Sequence, residues 1–123
     1  MNFEVKNEEK YALITAKVEK LDSLNAPDLK SELVVLNKNG VRNTVLNLEH
    51  TRYCDSSGLS AILVGNRLCK NTGGTFVVTG LQSSVKKLIS ISQLESVLNI
   101  TPTVSEAVDL VMMEEVERDL GDE

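Results

Sequence analysis

Short apolar runs alternating with helix-period segments constrain this chain more than any other feature. Val45-Leu46-Asn47-Leu48 and Thr75-Phe76-Val77-Val78-Thr79 have strand length, and between them lies a stretch whose apolar residues recur at helical spacing. Strands that take turns with helices form right-handed βαβ units, which pack onto a largely parallel sheet. The N-terminal part departs from that rhythm. Phe3 to Lys6 and Tyr11 to Val18 read as two strands joined by Asn7-Glu8-Glu9-Lys10, a hairpin spacing that predicts an antiparallel pair.

The remaining elements follow from local signals. Asn25-Ala26-Pro27-Asp28 supplies a capping side chain, a first-turn proline and an acid near the positive dipole end, so a helix opens there, with Leu29, Leu33 and Leu36 inward and Asn39-Gly40 at its close. A second helix is predicted from about Ser57 to Asn71, ended by Thr72-Gly73-Gly74. A third runs from Ser83 or Ser84 to Ile91, with Val85, Leu88 and Ile89 inward, and Val97 to Ile100 forms a short strand before Pro102. The last helix begins near Thr103 or Val104, with Thr103 as cap and Glu106 three residues on, and carries Val104, Ala107, Val108, Val111 and Met112 on one side. The reading is one α/β domain over residues 1–116, with a mixed sheet of four to five strands, about four helices and an acidic tail over residues 117–123.

Composition narrows the function classes. The chain has 123 residues, enough for one core, but aromatics are only 3% and Trp is absent, so Leu, Val and Ile build that core, with Phe3, Phe76, Tyr11 and Tyr53 as minor contributors. Scarce aromatics weaken any case for base stacking. Net charge is −5, concentrated in residues 104–123, which hold eight acids and one Arg, so no basic stripe invites nucleic acid or anionic lipid. Cys54 and Cys69 lack zinc or redox spacing and read as free thiols. The longest purely apolar runs, Ala61-Ile62-Leu63-Val64 and Leu110-Val111-Met112-Met113, have four residues, and Met1-Asn2-Phe3-Glu4 has no signal-peptide character; a cytoplasmic protein with no direct membrane insertion is expected.

Catalytic motifs are missing from the sequence: no phosphate-binding glycine loop, no dinucleotide fingerprint, no metalloprotease pair and no nucleophile elbow. His50 lies close in sequence to Asp55 and Ser56, but nothing specifies the geometry of a nucleophilic triad, and a solvated loop histidine is the simpler reading. No cofactor is implied. The chain reads as a substrate for an enzyme, not as an enzyme.

The turn Tyr53-Cys54-Asp55-Ser56-Ser57-Gly58-Leu59 attracts attention instead. Ser56 or Ser57 would cap the following helix, and the same orphan N–H groups and dipole would receive a phosphate. In that helix Ala61, Ile62, Val64, Gly65, Leu68 and Cys69 share the core arc, opposite Ser60, Asn66, Arg67 and Lys70. Leu59 and Leu63 lie among the polar residues, either as scattered exposed leucines or as an apolar docking contact beside the serines. Gly58 either permits the geometry of the turn or lets another protein approach it closely.

Val45-Leu46-Asn47-Leu48, the Asp55-Ser56-Ser57-Gly58 turn, Gly73-Gly74-Thr75-Phe76-Val77-Val78 and Val85-Lys86-Lys87-Leu88 together resemble, in order and spacing, the STAS family of bacterial anti-sigma-factor antagonists. The resemblance spans nearly the whole chain and implies a mixed sheet covered by helices. It implies that Ser56 is phosphorylated by an anti-sigma factor serine kinase, that Asp55 positions the acceptor, and that Ser57 and Gly58 complete the turn. Leu21-Asp22-Ser23-Leu24-Asn25-Ala26 looks like the family's loop before the first helix, with Asp22 as a partner contact, although Lys20, Leu24 and Asn25 depart from the usual pattern. The implied partners are that kinase and a PP2C-type phosphatase, and the protein a monomer or weak dimer; the alternative is a non-switching STAS subunit of a lipid-transport or other membrane-associated complex.

Overall fold

The computed structural model describes residues 2–121; Asp122 and Glu123, the end of the expected acidic tail, lie outside the described residues. Strands β1 (Phe3–Asn7) and β2 (Ala12–Ala16) form the antiparallel hairpin, with Phe3 opposite Ala16. To it are added, all parallel, β4 (Thr44–Asn47), β6 (Phe76–Thr79) and β7 (Asn99–Thr101), in the spatial order β1-β2-β4-β6-β7. The helices are α1 (Ala26–Lys38), α2 (Ser56–Asn71), α3 (Ser83–Ile91) and α4 (Val104–Gly121). The expected α/β class, mixed sheet and four helices are all found.

Period-two alternation along the buried strands separates two cores. Ile14, Leu46, Phe76 and Val78 face the layer built with Leu29, Leu33, Ile62, Val85 and Ile89 of α1, α2 and α3. Val45 and Val77 face the other way, onto Ala107 and Val111 of α4, with Tyr11 and Leu13 at the margin. Three helices therefore cover one face of the sheet and α4 alone covers the other. The ring of Phe76 sits over Gly65, where α2 carries no side chain to block it.

Two strands escaped the sequence reading: β3 (Lys20–Leu21) and β5 (Tyr53–Cys54), which pair in parallel as a separate two-stranded sheet. Each is two residues long, too short for any periodicity to register. Tyr53 is consequently exposed on this small sheet and adds nothing to the core, contrary to expectation.

Helix α1 buries Leu29, Leu33 and Leu36 as predicted and closes at Asn39-Gly40, Gly40 having φ +87°. Asn25 occupies the N-cap position but its side chain makes no capping bond. The predicted cap of α4 does form: the Glu106 N–H donates to Thr103 Oγ1 at 3.2 Å. Of the five residues expected inward on α4, Ala107 and Val111 are buried, Val104 and Val108 are half-buried, and Met112 is exposed.

Nor does α4 break at residue 116. It continues to Gly121 because Arg118 turns back onto the body, donating to Thr75 Oγ1 at 2.9 Å, Asn43 Oδ1 at 3.1 Å and Glu115 Oε2 at 2.5 Å, while Arg42 reaches the same Glu115 oxygen at 2.8 Å. Residues 117–121, expected as the start of an acidic tail, are helical in the structure. Burial opposes the charge on Glu115, but hydrogen bonding to Arg118 and the positive charges of Arg42 and Arg118 prevail and hold its carboxyl below the usual range.

Candidate functional site

The β3–β5 pairing draws two loops of distant sequence together. Lys20 lies opposite Tyr53 and Leu21 opposite Cys54, and the Asp55 N–H donates to the Leu21 carbonyl at 3.2 Å. Asp22 and Asp55 consequently line one open hollow of about 650 Å³, with Glu19, Lys20, Leu21, Tyr53 and Cys54. Three carboxylates and one lysine leave it net acidic.

Asp55, and neither serine, is the N-cap of α2. Its backbone is extended, and its Oδ1 accepts the Gly58 N–H at 3.0 Å, which leaves the helix to begin at Ser56. Aspartate caps as well as serine does, and here the pairing with Leu21 has already set the backbone that a cap requires. Ser56 is thereby released from a structural task and stands exposed in the first turn; Ser57 is half-buried. A second, smaller hollow of about 280 Å³ runs from these serines across to α1, lined by Ser23, Ala26, Pro27, Lys30 and Ser60. Lys30 is its single cation.

Gly58 and Leu59, expected at the partner contact, lie beneath the surface of the turn. Both are buried, so neither offers a side chain or an open surface to a partner. A Cβ on Gly58 would run into the Leu21 carbonyl oxygen and stand 2.7 Å from Cys54 Sγ, so the glycine exists to let β3 and α2 approach each other. Leu63 is half-buried against the main core at the edge of the exposed face. The buried arc of α2 is turned toward Leu59 and Asn66, because the helix packs against α1 as well as against the sheet; Val64, expected inward, is half-exposed, and Asn66, expected outward, is buried.

One residue on this surface was missed by sequence reasoning. Leu24 is 87% exposed, on the loop that enters α1. That loop is tightly tied: Asp22 Oδ1 accepts the Leu24 N–H at 3.0 Å, Asn25 Oδ1 accepts the Asp22 N–H at 2.9 Å, and Asn25 Nδ2 donates to the Lys20 carbonyl at 2.7 Å. Asn25 therefore braces the loop where a helix cap was expected. A loop whose backbone is already tied in this way costs little further ordering when a partner binds it. The departure of Leu24 from the usual pattern was the available signal.

The other chemistry considered does not assemble. His50 is exposed and lies 3.7 Å from Glu49, with no bond to Ser56 or Asp55 among the described residues. Burial, and secondarily the charge of Asp55, pushes the Cys54 thiol up to about 12, so it remains protonated and a poor nucleophile. Burial likewise raises Cys69. Among the described residues no three His, Cys, Asp or Glu side chains are grouped to hold a metal ion, and no helix is long and apolar enough to cross a membrane.

A hairpin-led mixed sheet with an Asp-Ser-Ser-Gly turn opening its second helix defines the class: the chain belongs to the STAS domain family, which it matches over residues 3–107. Among individual proteins, it is 23% identical over 100 residues to the anti-sigma-B factor antagonist of Staphylococcus aureus, a match covering 81% of this chain and 92% of that protein. An anti-sigma-factor antagonist STAS domain protein from Planctomyces limnophilus superposes with a TM-score of 0.81 at 15% identity, over 89% of this chain and 97% of the other. The Bacillus cell fate determinant SpoIIAA in its phosphorylated form superposes with a TM-score of 0.70 at 21% identity, over 89% and 98%.

Proposed function

We propose that this protein is an anti-sigma factor antagonist switched by phosphorylation of Ser56. Unphosphorylated, it binds an anti-sigma factor serine kinase and so frees a sigma factor; phosphorylated, it lets the kinase go, and a PP2C-type phosphatase restores it. The observation that carries this reading is the freedom of Ser56: Asp55 has taken over the capping bond, and the exposed hydroxyl stands at a helix start beside the acidic Asp22–Asp55 hollow. The name of the Staphylococcus aureus relative supports the same assignment.

In this reading Asp22 and Asp55 contact basic groups of the kinase, Leu24 fills an apolar pocket on it, and Ser57 and Leu63 border the contact. The magnitudes favour switching by docking over switching by refolding. A phosphate near an exposed helix N-terminus gains only about 0.3–1 kcal/mol from the dipole, too little to reshape a domain. The same group brings a charge of roughly −1.5 to −2 into the partner interface, where like-charge juxtaposition costs several kcal/mol.

The deciding experiment incubates the protein with a candidate anti-sigma factor kinase and ATP, then maps the modified residue by mass spectrometry. Phosphate on Ser56, absent in Ser56→Ala, is the expected result. Undiminished labelling of Ser56→Ala would overturn the assignment.

A further inference from the structure

Helix α4 is apolar on two opposite faces. Ala107 and Val111 are buried against Val45 and Val77 of the sheet, but Met112, Met113, Val116 and Leu120 are 39%, 61%, 57% and 66% exposed on the far side. Spacings of three and four residues place Met113, Val116 and Leu120 in one stripe, with Met112 beside it. Nothing in the fold of this chain requires apolar residues there.

Charge says what kind of surface would cover it. Glu117 and Asp119 lie to either side of the stripe, and Glu106 and Asp109 continue its line toward the start of α4, all four exposed. The one basic residue of α4, Arg118, is turned inward to Glu115, Thr75 and Asn43 and neutralises none of them. We propose that this face of α4 docks an amphipathic helix of another protein, with apolar residues along its centre and lysines or arginines along its edges. A second copy of this chain fits poorly, because pairing the stripe with itself sets carboxylates against carboxylates. Phosphate-bearing surfaces are repelled for the same reason. Since α4 covers the face of the sheet opposite α1 and α2, such a partner and one bound at Ser56 would occupy separate sides of the molecule.

The test titrates the full chain into a fluorescein-labelled synthetic helix with leucines at the a and d positions of a heptad and lysines at e and g. A counterpart peptide carries glutamates at e and g. The lysine peptide is expected to bind and the glutamate peptide to fail. Val116→Asp/Leu120→Asp should weaken the lysine peptide by roughly tenfold or more, as loss of central anchors does, with an unchanged thermal melt because both side chains lie in solvent. Asp109→Lys/Glu117→Lys should reverse the preference toward the glutamate peptide, and Ser56→Asp should alter neither titration. Lysine-peptide binding that survives both double substitutions would overturn the proposal. So would sedimentation of the protein as a dimer that Val116→Asp/Leu120→Asp dissociates, since the face would then be closed by a second copy.

Discussion

Gly58 shows how one missing side chain holds the site together. The space it leaves is filled by the Leu21 carbonyl and the Cys54 sulfur, so Gly58→Ala must push β3 and α2 apart. The expected cost is about 1–3 kcal/mol in denaturant unfolding, typical of overpacking, with the Asp22 loop displaced relative to Ser56. Leu24 poses the converse case of a large apolar side chain that touches little of its own protein. Leu24→Ala should leave stability within about 0.5 kcal/mol, as surface changes do, yet weaken kinase binding by roughly tenfold in calorimetric titration. The two predictions separate cleanly by measurement: Gly58→Ala is expected to change stability, and Leu24→Ala the proposed binding. Neither role follows from residue type, since a glycine in a turn and a leucine in a loop have bland explanations in any chain.

At the scale of elements, α4 depends on a polar clamp at its C-terminal end. Glu115 lies between Arg42 and Arg118, and its depressed carboxyl pKa means that the folded state favours the charged form. The sign follows from linkage: this stabilisation is fully present above the ordinary glutamate value and is lost as pH falls through the lower folded value. Glu115→Gln should destabilise the protein by about 1 kcal/mol at neutral pH, the cost of impairing a partly buried charged hydrogen-bond network. Below pH 4 the gap between wild type and variant should narrow, a comparison that thermal melts across pH 3–7 make directly. Arg118, in the segment expected as an acidic tail, is the residue that ties the end of α4 to Glu115, Thr75 and Asn43.

For the whole molecule, the proposed switch acts on docking and not on the fold, so a form phosphorylated at Ser56 should be nearly as stable as the free one. Its melting temperature should stay within a few degrees, given a local dipole contribution of about 0.3–1 kcal/mol, while its affinity for the kinase falls steeply. Calorimetric melts and titrations on the same phosphorylated sample check both halves. Sequence alone determined the alternation of strands and helices, the N-terminal hairpin, the inward leucines of α1 and the turn that holds Ser56. Each of these is encoded within a few neighbouring residues, through hydrophobic period or a turn's backbone preference. Tertiary structure alone decided that Asp55 caps α2, that Leu59 turns inward, and that Leu24 stands out beside Asp22. These depend on β3 meeting β5 and on α1 packing against α2, contacts between segments some thirty residues apart in sequence, and no local pattern records which face a helix will bury until its neighbours are in place.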